Sequence, residues 1–316
     1  MGEKKATRAV YGEMLVELAE KYPELVVLDA DLSSATMTKS FAKAYPDRFL
    51  DMGIAEANMI GVAAGLSTCG KKPFANSFAM FTAGRAYEQV RNSVAYPHLN
   101  VKCVGSHGGI SVGEDGATHQ CIEDLALMSA IPGMTVVNPC DGNEMRQAVL
   151  ALIEYNGPAY LRLGRMAVET VTDTIDGYKF ELGKAAMLRD GKDVTIAATG
   201  LMVQRALAAA ELLSGEGVSA RVLDFHTIKP LDGEALLAAA KETGCIVTAE
   251  NHQVGTGLGS AITNLTSAKN PVPVERIGIQ NRFGQVGPQD FLMQQYNLTA
   301  EDIAAAALRA IARKQG

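Results

Sequence analysis

Two open α/β domains with mostly parallel sheets are predicted for this 316-residue chain. Three observations lead there. Short β-branched runs alternate with small-residue helical stretches along the whole length, a pattern that builds parallel sheets covered by helices. The alternation breaks once, over 166–193, where the residues turn polar and lose any helical period. The composition, 47% hydrophobic and 20% charged, is that of a globular chain able to form sizeable cores.

In the first half, Val10, Met14 and Leu18 recur at i, i+4 and i+8, which predicts an amphipathic helix over 7–21. A buried-type strand at 25–28 runs into a polar turn at 29–34. A helix over 55–68, AEANMIGVAAGLST, is rich in Ala and Gly and suited to close packing. Strand 73–77, a helix through 87–94 and strand 101–104 follow. Then comes an irregular stretch, 105–120, with five glycines; loops of that length inside a compact domain usually carry function. Helix 123–130, strand 135–137, helix 142–155 and strand 160–163 complete this half. Segment 166–193 reads as a linker plus a hairpin, giving domains 1–172 and 173–316. The second half resumes with strand 194–198, helix 201–213, strand 220–225, helix 234–240, strand 245–249 and helix 257–267.

A formal charge of −6 makes no electrostatic case for nucleic acid or an anionic membrane. Any anionic substrate then depends on a few local cations. The five cysteines are scattered and form no CxxC pair, which argues against zinc and disulfides and fits a reducing cytoplasm. A charged first ten residues and the lack of a long apolar run predict no signal peptide and no membrane span.

Ligands of open α/β sheets gather beyond the carboxyl ends of strands. The polar residues to weigh are therefore Asp29, Asp31, Glu56, His107, Asp115, His119 and Arg165. Glu56 opens a helix among Met52, Ile54, Met59 and Ile60. It reads either as a first-turn carboxylate favoured by the helix dipole or as a desolvated one able to carry a proton. Phe78 and Phe81, three apart after a strand, read as core packing or as an aromatic wall for a flat heterocycle. SHGGISVGEDGATHQ has no lysine and is not a Walker-type loop. Its histidines, 12 apart, make a poor zinc pair, yet two histidines exceed the needs of a surface turn. GTGLGS at 255–260 lacks the dinucleotide spacing and reads as tight helix–sheet packing.

The segments DMGIAEANM, SFAMFTAGRAYEQVRNSV, SHGGISVGEDGATHQ and PAYLRLGR, in this order and spacing, resemble transketolases over essentially the whole chain. The resemblance covers two of that family's three domains, the pyrimidine-binding thiamine diphosphate fold and the C-terminal domain. It implies that Glu56 hydrogen-bonds the cofactor's aminopyrimidine and drives it to the imino tautomer. It also implies that Phe78 and Phe81 hold that ring, that His107 and Arg165 contact a sugar phosphate, and that Asp115 reads a substrate hydroxyl. His119 would pass protons near the reacting carbon. Two positions depart from the family: Gly84 where many members have a tyrosine, leaving the pyrimidine wall more open, and Asp29 where a phosphate-binding serine is usual, with Lys4 as a possible compensation.

The family's diphosphate-and-metal motif, GDG followed by Asn, does not occur in this sequence. Thiamine diphosphate and its Mg2+ are therefore expected to rest on a partner N-terminal subunit, in a two-plus-two heterotetramer. The function implied is the C-terminal subunit of a split transketolase, moving a two-carbon ketol unit between sugar phosphates. The alternatives are the β subunit of a 2-oxo acid dehydrogenase, the pyrimidine-binding half of a deoxyxylulose-phosphate synthase, and an inert regulatory partner.

Overall fold

The computed structural model describes residues 4–175 and 177–315. The helix Thr7–Lys21 buries Val10, Tyr11, Met14, Leu15 and Leu18 on one stripe. Strand Leu25–Asp29 is buried at every position. Side chains alternate across a strand, so its two faces fill two cores. Leu25 and Val27 pack with Thr7–Lys21 and Gly142–Glu154, while Val26 and Leu28 pack with Met59, Ile60 and Ala63 of Glu56–Thr68. A sheet covered on both faces explains the continuous apolar runs.

Seven strands form the first sheet, in the order Thr227–Lys229, Thr135–Val137, Ala159–Arg162, Lys102–Ser106, Lys72–Phe78, Leu25–Asp29 and Phe49–Asp51. All neighbours are parallel except the first pair. Five strands form the second, in the order Val274–Ile279, Ile246–Gln253, Val194–Ala198, Ala220–Asp224 and Ala186–Arg189. Only its last pair is antiparallel. The mostly parallel α/β prediction holds.

Three local expectations need correction. Among the described residues of 166–193 there is no hairpin: Ala167–Glu169 pairs with Lys4–Ala6, and Ala186–Arg189 borders Ala220–Asp224. The first is a separate two-stranded ribbon and the second covers an edge of the later sheet; both pair with distant segments, which local turn signals cannot reveal. The helix expected through 87–94 is two wide π turns, Met80–Arg85 and Val90–Ala95, around the single turn Tyr87–Gln89. Thr227–Lys229, from the second half of the sequence, belongs to the first sheet, and one apolar core runs from Val26 and Met59 through Phe225 to Ile246.

The seam between the sheets is polar as well as apolar. Arg162 is 4% exposed and donates to Asp124 Oδ2 at 2.8 Å and Oδ1 at 2.9 Å. It also donates to the carbonyls of Asn251 (3.1 Å) and Cys121 (3.2 Å). Nearby, Glu144 accepts the Cys140 N–H at 2.6 Å and the Tyr178 hydroxyl. Asp224 is fully buried beside Glu144, and no donor among the described residues reaches either of its oxygens.

Burial and the Glu144 charge push the Asp224 carboxyl well above the usual range. Its folded value lies above its unfolded one. Its contribution to stability is therefore complete below pH ~4 and is lost as pH rises through the folded value. Asp224→Asn, a permanently neutral isostere, is expected to raise Tm at pH 7–8 and to flatten the slope by up to about 1.4 kcal/mol per pH unit. Calorimetric scans from pH 5 to 8 check this; parallel declines in mutant and wild type would rule it out.

Candidate active site

Glu56 is the first residue of its helix and is 1% exposed. Arg85 Nη1 donates to both its oxygens, at 2.9 and 3.0 Å. The expected carboxylate among apolar neighbours alone is thus corrected: a guanidinium offsets the cost of its burial. Arg85, which the sequence analysis did not single out, is half exposed and lies 4.5 Å from the centre of the Phe81 ring. Phe81 stacks on Phe78 with centroids 5.9 Å apart. Phe78 is buried and backs the layer; Phe81 is half-buried and borders open space. The expected opening at Gly84 is absent, because the Met80 methyl fills the space where a larger side chain would stand.

Both histidines of the glycine-rich loop come to these rings. His119 meets Phe78 and Phe81 edge-on, at 5.9 and 5.5 Å. Thr118 Oγ1 lies 3.0 Å from its Nδ1. His107 packs on Phe78 at 4.1 Å. Its Nδ1 is 2.8 Å from Ser106 Oγ and its Nε2 is 3.2 Å from Arg8 Nη1. Arginine can only donate, so Nε2 accepts and Nδ1 carries the hydrogen. Burial and the neighbouring Arg8, Arg165 and His119 push the imidazole down to about 3, keeping it neutral. His107 holds a φ of 63°, a left-handed backbone rare outside glycine.

Beyond His107, Arg8 and Arg165 flank a cleft of about 360 Å³ with Val112, Gly113, Glu114, Pro288 and Gln289. Asp115 accepts from Arg165 Nη1 at 3.3 Å, and Arg165 also reaches the Val112 carbonyl. Arg8 was missed from sequence, since it lies in the first helix, far from the loop it meets. Two guanidiniums facing one space repel each other, and burial with Arg165 lowers Arg8 from its ordinary value. An oxyanion between them would relieve that repulsion.

Asp29 lies outside this cleft. It is buried and organises the turn after its strand, accepting Leu32 N–H at 2.6 Å, Thr36 Oγ1 at 2.6 Å and Thr38 Oγ1 at 2.9 Å. Burial pushes it up to about 6. Lys4 pairs with Glu169 at 3.3 Å and so does not compensate Asp29.

On the other side of Phe81 is a groove of about 500 Å³ lined by Met80, Phe81, Arg85, Thr118, Glu123 and Phe283, among others. The helix that GTGLGS opens binds no external anion through its first amides. Leu258 N–H and Gly259 N–H donate to the chain's own Glu250, at 2.7 and 2.8 Å. Cys140, Glu144 and Asp224 lie close enough together to hold a metal. Both Glu144 oxygens are already engaged, by the Cys140 N–H and the Tyr178 hydroxyl.

Residues 3–170 match the family "Transketolase, pyrimidine binding domain" and residues 183–303 match "Transketolase, C-terminal domain". The chain belongs to the transketolase family. It is 48% identical to a 6-deoxy-6-sulfo-D-fructose transketolase subunit of Clostridium sp. (strain MSTE9), over 97% of this chain and 95% of that protein. It is 47% identical to a putative transketolase C-terminal section of Methanocaldococcus jannaschii, over 96% and 95%. A solved split-gene transketolase, described as an inactive β4 tetramer, superposes with a TM-score of 0.90 at 48% identity, covering 99% of this chain and all of that one.

The transketolase family is thiamine diphosphate dependent, and the groove suits the cofactor's flat pyrimidine end. It offers the half-buried Phe81 face and Arg85, whose guanidinium holds the buried Glu56 carboxylate behind it. Among the described residues, no helix is long and apolar enough to cross a membrane.

Proposed function

We propose that this chain is the pyrimidine-side subunit of a two-chain transketolase that moves a two-carbon ketol unit between sugars bearing a terminal oxyanion. The observation that carries the reading is a continuous run of contacts. It goes from Glu56 through Arg85, Phe81 and Phe78 to His107, then to Arg8 and the cleft shared with Arg165. With His119 edge-on to the same rings, it joins a buried carboxylate, an aromatic shelf, two imidazoles and an anion cleft in the order a cofactor, a reacting carbon and a phosphate would need.

In this reading Glu56 holds the cofactor's aminopyrimidine by a hydrogen bond and exchanges a proton with it. Phe81 supports the ring and Phe78 backs Phe81. His119, half-buried at the mouth, passes protons to and from the substrate's oxygen. His107, held neutral with its hydrogen on Nδ1, and Arg165 orient the sugar phosphate, and Asp115 reads a hydroxyl. Thiamine diphosphate, when bound, supplies the carbanion chemistry that lets a carbon–carbon bond break beside a carbonyl. Its diphosphate and Mg2+ rest on a partner subunit. The same-length relatives named as a subunit and a C-terminal section support a separate partner chain; the domains are proposed to be 1–172 and 173–316.

The sugar's anion is a phosphate in the first instance. A sulfonate is the second reading, favoured by the sulfo-sugar relative at 48% identity. Two-oxo acid chemistry has less support, since a pyruvate-sized donor leaves the two-arginine cleft without a ligand.

Purified alone, the chain is expected to show no ketol transfer. Mixed with a diphosphate-binding partner, it is expected to transfer from xylulose phosphate to ribose phosphate and not to use pyruvate as donor. Coupled assays of each subunit and of the mixture check this. Turnover by the chain alone would overturn the two-chain reading.

A further inference from the structure

The anion cleft is not built by the first sheet alone. Pro288 and Gln289, from the C-terminal half of the chain, line it beside Arg8 and Arg165. They sit at the end of segment 283–289, which lies across the glycine-rich loop. Gln120 Nε2 donates to the Gln285 carbonyl at 2.9 Å, and the Tyr296 hydroxyl donates to the Phe283 carbonyl at 2.7 Å. Val286 packs so close to Gly116 that a Cβ there would meet it at 2.8 Å. Gln289 Nε2 donates to the Ser111 carbonyl at 2.7 Å, and its Cγ packs on Gly113. The amide is therefore held in one orientation at the rim, with a further N–H on the same nitrogen.

We propose that Gln289 is a specificity-determining residue of this transketolase subunit, completing with Arg8 and Arg165 the site for a tetrahedral terminal oxyanion on the sugar. This deepens the ketol-transfer reading and rests on it for the identity of the sugar. The chemistry argues for a neutral donor here. Arg165 already shares its charge with Asp115, and Glu114 stands at the same rim. A third donor adds a hydrogen bond without a third cation. Because Gln289 comes from the second domain, the fit of the anion depends on how the two sheets are joined.

The test titrates inorganic phosphate and methanesulfonate into the full chain by calorimetry, with Gln289→Ala and Gln289→Glu as variants. Both variants are expected to stay folded, with the unfolding midpoint lowered by a few degrees for the lost hydrogen bond to Ser111. Gln289→Ala is expected to weaken phosphate about fivefold, the size of one lost hydrogen bond. Gln289→Glu, which brings a like charge to the anion, is expected to weaken it tenfold or more. Whichever ion binds wild type more tightly names the terminus the sugar carries.

In the reconstituted two-chain enzyme the same variants should raise KM for the phosphorylated donor by matching factors and leave kcat within twofold. Erythrulose, which has no terminal oxyanion, should show no change in KM. Wild type and both variants binding phosphate alike, or wild type not binding it, would overturn the proposal. Weakened phosphate binding without any ketol transfer would leave the proposal standing and remove the transketolase reading instead.

Discussion

Glu56→Gln is expected to lower kcat of the reconstituted enzyme by about a thousandfold, within the range of general acid–base catalysis, while the subunit folds and assembles normally. The amide keeps the volume and one acceptor oxygen of the carboxylate. It cannot take up and return a proton. It also leaves Arg85 facing a neutral group, and because that guanidinium is half exposed, water can meet its charge. The stability change should therefore be small, on the order of 1 kcal/mol. Rate measurements at saturating substrate, with gel filtration of the mixed subunits, separate the two effects. Near-normal turnover would remove Glu56 from its role, and loss of assembly would make it a structural residue.

Asp124→Ala is expected to be the most damaging single change outside the site. Asp124 answers the Arg162 guanidinium with two oxygens and accepts the Tyr160 hydroxyl at 2.8 Å, all of it buried. Removing one partner of a buried ion pair leaves the other stranded, at a cost of about 3–5 kcal/mol. Activity should fall as well. Arg162 holds the Asn251 carbonyl, and Asn251 Oδ1 accepts from Ile110 N–H at 3.1 Å inside the glycine-rich loop. Urea unfolding checks the first part; a loss below about 1 kcal/mol would mean that Arg162 reaches water after all. The double change Asp124→Leu with Arg162→Met should recover much of the stability, since apolar replacement of a buried pair is often neutral or better.

What could be read from the sequence was what short-range pattern encodes. The helix over 7–21 and the strand near 25–28 announced themselves by period, and the glycine count of 105–120 marked a working loop. Phe78, Phe81, His107 and His119 do meet, Glu56 reaches them through Arg85, and Asp115 pairs with Arg165. Their partners stayed hidden because they arrive from elsewhere in the chain. Arg8 approaches His107 across 99 positions and Gln289 approaches Ser111 across 178. Neither carries a local signal beyond an ordinary helix residue. Asp29 misled for a related reason: its position suggested a contact with substrate, and its three internal donors show a carboxylate used to shape a turn.

The strand Thr227–Lys229, lent by the later part of the chain to the edge of the first sheet, has a consequence for inheritance. A break in the coding sequence between the two sheets would strip Thr135–Val137 of one of its two neighbours and lay bare a core running from Met59 to Ile246. Neither piece would be a finished object. An enzyme of this family can be divided among genes where its parts meet as surfaces, and here the two sheets meet as an interior.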